Sequence, residues 1–571
     1  MSIPRPEFPN PQAERENWLC LNGQWDFEFD FGKSMQDDGE ILKKEKWDKE
    51  ITVPFCPESE LSGIGYKDFI PAVWYRKKIE ITEENLKGRV FICFGAVDYY
   101  TTVYINGKKA GTHTGGYTSF RFDITDLLVS GSNTVIVNAV DDTRSPLQCT
   151  GKQSRLSYSH GCVYTRTTGI WQSVWLEFTP KNYIKSFKLT PDAANSCLTV
   201  EATLCGAGEF RAEADYEGKS SGSFCKKAAG EITGEIKLSE THLWEPGNGR
   251  LYGLKLKFGD DVINSYFGLR DLAIDGYKFL INGKSVFQRL VLDQGFYPDG
   301  IYTAPTDDAL KRDIELSMAA GFNGARLHEK VFDPRFHYHA DKMGYLTWGE
   351  YPNWGMDHSN PAATDRFVNA WIEAVERDYS HPSIIGWCPF NETWDTDGRR
   401  QRDELLETVY KVTKALDKTR PCIDTSGNYH VITDIWDVHN YDQNPVSFKE
   451  TYDKLLENGE LVDPTNERCA VHYEGGIVFV SEYGGIGWVA DSNEKAWGYG
   501  NNPKTEEEYK ARYKGLTDVL LDNEKMFAFC YTQLTDVEQE QNGVYTYDRR
   551  PKFEPEFYYE VNTRKAAIED K

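Results

Sequence analysis

The apolar pattern of this chain changes period near residue 274, and that change constrains the fold more than any other feature. Before it, apolar residues alternate over short runs. "LNGQWDFEFD" puts Trp25, Phe27 and Phe29 on one face, the period-2 mark of a half-buried strand. "RVFICFG", "TTVYING", "FRFDIT" and "NTVIVNAV" follow, divided by Gly, Asn and Asp. Asn106-Gly107 is a strong hairpin signal. Residues 1–180 read as a jelly-roll-like β-sandwich. Residues 181–273 hold further strand-like runs, among them "IKSFKLTP", "CLTVEATL" and "YGLKLKFG". The size of this block suits an immunoglobulin-like sandwich.

Past residue 274, helix and strand alternate. "PTDDALKRDIELSMAAGFNGARL" offers Thr306 as a cap, then Leu310, Ile314 and Met318 at helical spacing, and Gly321 as the stop. "DPRFHYHADKMG" repeats the scheme with Pro334 at the first helical position and Gly344 at the end. "TDRFVNAWIEAVERDY" places Phe367, Trp371, Val375 and Tyr379 on one stripe. "YLTWGEYP", "SIIGWC", "PCIDTS", "DIWDVHNYD", "IVFVSEYGG" and "MFAFCYTQL" supply strands. The fold class is multidomain, β plus α/β, with residues 274–571 forming a (β/α)8 TIM barrel. Such a barrel builds its active site at the C-terminal ends of its strands.

Composition narrows the partners. With 571 residues, several domains are expected. A formal net charge of −24 repels nucleic acid and anionic membranes, so neither is expected as a partner. The N-terminal stretch lacks a secretory apolar region, and no run is long enough for a membrane helix. Twelve cysteines are scattered without a C-x-x-C pair. This favours reduced thiols, a cytoplasmic location and no zinc site. The 15 Trp, 33 Tyr and 30 Phe build cores and can also stack on sugar rings.

The barrel supplies a sorting rule: polar residues directly after strands are site candidates. It selects Arg326 and His328 after "GFNGA", Glu350 after "YLTWG", Asn391 and Glu392 after "IIGWCPF", His439 and Tyr441 after "DIWDV", and Glu482 after "IVFVS". Paired carboxylates suit glycoside hydrolysis, in which one acid protonates the leaving oxygen and a second carboxylate attacks the anomeric carbon or activates water. Their separation in sequence fixes no distance. A structural ion pair for Arg326 and core packing for His328 and His439 are the bland readings. His337 and His339, two apart on a helix, make a poor metal pair.

"VWYRKKIEI", "VDYYTTVYINGKKAGTHTGGYTSFRFDIT", "TTGIWQSVWLE", "YFGLRDL", "GFNGARLH", "WCPFNET" and "FVSEYGG" together resemble glycoside hydrolase family 2 over nearly the whole chain. The resemblance implies that Glu392 is the general acid/base, Glu482 the nucleophile, and Asn391 the partner of the adjacent sugar hydroxyl. Tyr441 would sit beside the nucleophile and Arg326 would keep it ionised. Glu392 would be protonated at rest, its pKa raised by burial and by Glu482. The configuration would be retained. No cofactor or metal is expected. Glu350 resembles a magnesium-binding position of some relatives, but the companion His is absent and Tyr351 follows.

The chain departs from the family where substrates are chosen. "RLVLDQGFYPDG" replaces the usual His-Glu-Asp run, with Asp293 as the stand-in acid and Gln294 new. The Asn-x-Lys by which family β-glucuronidases recognise a carboxylate is missing before "GVYTYDRRPK", where Glu540-Gln541-Asn542 stands. "NNPK" at 501–504 reads as a turn, and Lys330 is another cation. Tyr531, where relatives often have Trp, is expected as a sugar platform. The expectation is a retaining exo-glycosidase acting on a small glycoside or oligosaccharide, foremost a β-galactoside. A galactofuranoside, arabinofuranoside or β-uronide is the alternative, and a non-catalytic carbohydrate-binding protein is the alternative of another class. Relatives that form dimers or tetramers leave room for a homo-oligomer.

Overall fold

A computed structural model describes residues 3–35, 39–427, 429–463, 471–489 and 497–570. Cys469 lies outside them, and the described cysteines are free. No helix among the described residues is long and apolar enough to cross a membrane.

The N-terminal block is built from two antiparallel sheets. One has six strands, with Ala72–Ile81 and Gly131–Val140 at its centre, and the other has four, with Arg89–Phe94 and Val174–Thr179 central. Their alternating apolar residues meet between the layers. Trp25, Phe27, Tyr75 and Val137 from one sheet share a core with Ile92, Phe94 and Leu176 from the other. Each large apolar side chain so buried contributes about 1.5–3 kcal/mol. The hairpin signal is realised: Asn106 and Gly107 have φ of 51° and 76° and join Tyr100–Ile105 to Lys108–Thr114.

The second block is one five-stranded antiparallel sheet. Its long strands Cys197–Tyr216 and Lys219–Lys237 pair along most of their length and shift register between Thr203 and Ala207. On one side of that break Cys197–Tyr216 pairs with Tyr183–Asp192, and on the other with Tyr252–Phe258. The bent sheet encloses Leu198, Val200, Phe210, Leu254 and Leu256.

The third block contains eight parallel strands: β1 Gln288–Asp293, β2 Gly324–Leu327, β3 Leu346–Glu350, β4 Ile384–Cys388, β5 Thr425–Ser426, β6 Trp436–Asn440, β7 Val478–Gly484 and β8 Met526–Thr532. Seven pair in the order β4-β3-β2-β1-β8-β7-β6. The short β5 fills the gap by pairing with Phe390–Asn391, just beyond β4. Outer helices follow the sequence signals. In α1, Asp307–Ala319, the Thr306 side chain accepts from the Ala309 amide. In α2, Pro334–Met343, Gly344 ends the helix at φ 68°. Strict alternation fails once: the described residues between β5 and β6 form no helix. Asp424 holds that connection instead, accepting from the amides of Val431 and Ile432 and pairing with His430.

The first and third blocks share a core. Tyr99, Tyr117 and Trp171 of the sandwich cluster with Phe296, Tyr302, Tyr351 and Trp371 of the barrel.

Candidate active site

The strand ends converge on one buried cluster. Arg326 is its hub. Its Nε donates to Glu350 at 2.6 Å, and Nη1 donates to Glu482 at 3.1 Å and to the Ser481 carbonyl at 2.9 Å. Nη2 donates to the Asn391 side-chain oxygen at 3.0 Å. Arg326 therefore fulfils both readings drawn from the sequence: a buried ion pair, here with Glu350, and a fixed positive charge beside Glu482. The planar fork suits this work because it serves several acceptors in one plane.

Glu482 owes its aim to a bulge. Along the β6–β7 pair, Val438 faces Val480 but His439 faces Glu482, so Ser481 is the extra residue. A bulge re-aims the side chains that follow it. His439 Nε2 lies 3.4 Å from Glu482, while its Nδ1 lies 2.7 Å from Glu392. Tyr441 donates to the other Glu482 oxygen and meets Thr532 at 3.1 Å. An oxygen of Glu392, an oxygen of Glu482 and a nitrogen of His439 all lie within 4.8 Å of one another.

Asn391 and Glu392 are held by their backbone. Asn353 pairs with the Asn391 amide and carbonyl at 2.7 and 3.1 Å, and the Trp354 indole donates to the same carbonyl at 2.9 Å. The Glu392 amide donates to the Ser426 carbonyl at 2.9 Å. Glu392 has φ of 43°, the left-handed region that a side chain with a Cβ rarely adopts. Such strain persists only where neighbours over-determine it, and it concentrates at functional sites. The Glu392 side chain is 27% exposed and that of Glu482 only 5%.

The electrostatics correct one expectation. Burial pushes the Glu392 carboxyl up, but the His439 hydrogen bond and charge, with Lys152 and Arg326, outweigh it and bring it below the usual range. Glu482 also falls below its usual range: burial opposes, and the charges of His439 and Arg326 prevail. Burial lowers the His439 pKa, yet the charges of Glu482 and Glu392 raise it overall. His439 thus bridges the two glutamates, its own pKa raised by them and theirs lowered by it. His328 is held neutral by burial and by Lys152. It lies 3.4 Å from Glu350 and 3.8 Å from Glu482.

Glu392, His439 and Glu482 are also the residues that could hold a cation. Their facing atoms are already engaged with one another, and the Arg326 charge stands beside them, an arrangement that fits proton sharing.

Two expected site residues are placed elsewhere. Tyr531 is fully buried and packs against Tyr513 and Tyr483, its hydroxyl 3.3 Å from that of Tyr509. Side chains alternate along β8. Tyr531 therefore joins the helix layer, and its neighbour Thr532 reaches Tyr441. The Asp293 carboxylate accepts from the Gly295 amide. Burial, then Asp313, raises its pKa to about 7, and its cationic neighbours are Arg549 and Lys330. It does not join the Arg326 network. Lys504 is exposed in a bend before the helix Glu506–Leu521, as the turn reading of "NNPK" expects. Asn353, Trp354, Ser426 and Lys152 escaped the sequence rule. The first two lie several residues past β3, Ser426 belongs to a two-residue strand, and Lys152 comes from the sandwich.

A barrel that focuses two carboxylates from β4 and β7 onto one point suits the chemistry of glycosidic bonds. Residues 62–180 match the family model for the glycosyl hydrolases family 2 sugar binding domain, and residues 273–465 match that for its TIM barrel domain. A putative β-glucuronidase of Formosa agariphila is 29% identical over 338 residues, 56% of this chain and 40% of that protein. A β-galactosidase of Thermoanaerobacter pseudethanolicus is 26% identical over 377 residues, 62% of this chain and 48% of that protein. This chain thus spans less than half the length of either relative. The structure of Bifidobacterium dentium β-glucuronidase complexed with coumarin-3-O-glucuronide superposes with a TM-score of 0.81 at 19% identity, covering 97% of this chain and 98% of that one. The chain belongs to glycosyl hydrolases family 2.

Proposed function

We propose that this chain is a retaining exo-acting β-glycosidase that removes a terminal sugar by double displacement. The observation that carries the reading is the 4.8 Å span that contains a Glu392 oxygen, a Glu482 oxygen and His439. Retaining enzymes keep their carboxyl groups roughly 5–5.5 Å apart, and inverting enzymes need about 6.5–9.5 Å to admit a water. Glu482, kept ionised by Arg326 and Tyr441, attacks the anomeric carbon. Glu392, the more exposed acid, takes up the proton that His439 can pass to it at 2.7 Å and gives it to the leaving oxygen, which leaves Glu392 ionised. Glu392 then takes a proton from the water that releases the sugar. Two displacements at one carbon restore its configuration. Proton NMR of the first-formed product tests this: the β-anomer is expected, and the α-anomer would overturn it.

We infer further that the terminal sugar is a β-uronide. β-Glucuronidases recur among the relatives, which supports this choice over the β-galactoside expected from sequence. β-Galactoside hydrolysis stands as the second reading, favoured by the Thermoanaerobacter pseudethanolicus relative. Turnover of nitrophenyl β-glucuronide and β-galacturonide, compared with the β-glucoside and β-galactoside, decides between them. The ends of the family matches at 180 and 273 support the division into three blocks, and the bent middle sheet fits an immunoglobulin-like module.

A further inference from the structure

We propose that Lys152, carried by the sandwich, recognises the carboxylate of a terminal uronic acid in the barrel's site. This rests on the uronide reading and deepens it by naming the group that reads the substrate's charge.

Lys152 sits in the connection between the sandwich strands Gly131–Val140 and Gly169–Ile170. Its backbone is pinned to the barrel. The amides of Thr150 and Gly151 donate to the Trp354 carbonyl at 2.7 and 3.2 Å, and the Tyr164 amide donates to the Lys152 carbonyl at 2.7 Å. Gly151 has φ of 56°, and a Cβ there would lie 2.6 Å from both the Glu329 carbonyl and Pro352 Cβ. The Lys152 ammonium lies 3.7 Å from the centre of the Trp354 ring. That ring's N–H holds the Asn391 carbonyl. The cation is thus one aromatic ring away from the backbone that presents Glu392.

Lys152 differs from the other enclosed lysines. Lys330 donates to the carbonyls of Gly295 and Tyr302. Lys552 donates to those of Trp488 and Gln541 and pairs with Asp536. The Lys152 side chain, on a residue only 5% exposed, has no hydrogen bond or ion pair among the described residues. Three nearby carboxylates are engaged elsewhere, Glu482 with Arg326 and Tyr441, Glu392 with His439, and Glu540 with Tyr164 and Asn542, while Glu329 accepts from the Trp354 amide at 3.2 Å through one oxygen. Burial opposes the charge on Lys152, but the carboxylates of Glu540, Glu482 and Glu329 raise its pKa overall. A buried ammonium without a partner is costly, and a substrate carboxylate would supply a charge-assisted hydrogen bond. An anionic substrate approaching a chain of formal net charge −24 needs a local cation of this kind.

The full chain and its Lys152→Met and Lys152→Arg variants are compared on p-nitrophenyl β-glucuronide, β-galacturonide, β-glucoside and β-galactoside. Lys152→Met is expected to lower the uronide-to-hexoside ratio of kcat/KM about 10- to 100-fold, chiefly through KM. Lys152→Arg should restore part of that ratio. Equal loss on charged and neutral sugars would overturn the assignment and leave Lys152 as a counter-charge to the glutamates, with the uronide reading intact. A wild-type chain that turned over hexosides and no uronide would instead sink the uronide reading, and the assignment with it.

Discussion

Glu482 is enclosed by Arg326, Tyr441 and His439, whereas Glu392 opens toward solvent and is bonded by His439. Their replacements should therefore fail differently. Glu392→Ala is expected to lose about 10²–10⁴-fold on poor leaving groups and much less on nitrophenyl glycosides, which depart without a proton. Equal losses across leaving groups would refute the acid role. Glu482→Ala should abolish turnover, and azide, entering the vacated face, should give a glycosyl azide of inverted configuration. The pH profile follows from the cluster. Glu482 titrates below its usual value, so its ionised form survives further into acid. His439 titrates above its usual value, so its proton survives further into base. His439→Gln should move the basic limb of kcat/KM to lower pH, because the proton then rests on a carboxylate. An unmoved limb would exclude His439 as its holder. Tyr531→Phe should leave kcat/KM near wild type and cost at most about 1 kcal/mol of stability, because the Tyr531 hydroxyl meets that of Tyr509 in the helix layer. The family resemblance made Tyr531 and Asp293 look like site residues, the first standing where relatives often have Trp and the second in place of an acid in the usual His-Glu-Asp run. Which face a strand-end residue takes depends on register, and register lies in the pairing of the strands.

Among the elements, β5 and β7 carry the site's least regular geometry. Gly427, directly after β5, has φ of 90°, and a Cβ there would lie 2.3 Å from three atoms of the His439 ring. Gly427→Ala should cost about 1 kcal/mol or more from backbone strain alone. It should also displace His439 and reproduce the pH shift of His439→Gln. Wild-type activity with a wild-type pH profile would contradict the close approach. Long elements were legible: the cap Thr306, Pro334 at a first helical position and the stop Gly344 mark helices because local chemistry decides them. The Ser481 bulge and the two-residue β5 were not legible, because nothing local distinguishes Ser481 from an ordinary strand residue. Their shape comes from pairing with β6 and with Phe390–Asn391.

For the whole molecule, the core shared by Trp171, Tyr302 and Trp371 argues that sandwich and barrel unfold together. Calorimetry and tryptophan fluorescence should report coincident transitions for these two blocks, and a barrel made without residues 1–180 should fail to fold stably. A separate, earlier transition of the sandwich would contradict this. The sequence hid this coupling because aromatic residues read alike whether they fill one block or bridge two. It hid Lys152 for the same reason, since a loop lysine in "TGKQSRLSY" carries no mark of the distant barrel it meets. The exposure of the two glutamates sets one last property. Under the proposed exo-acting function, the enclosed Glu482 would face the terminal sugar and the more open Glu392 the departing aglycone, so each encounter would shorten a chain by one unit. A solution of long substrate would keep its viscosity while free monosaccharide accumulates.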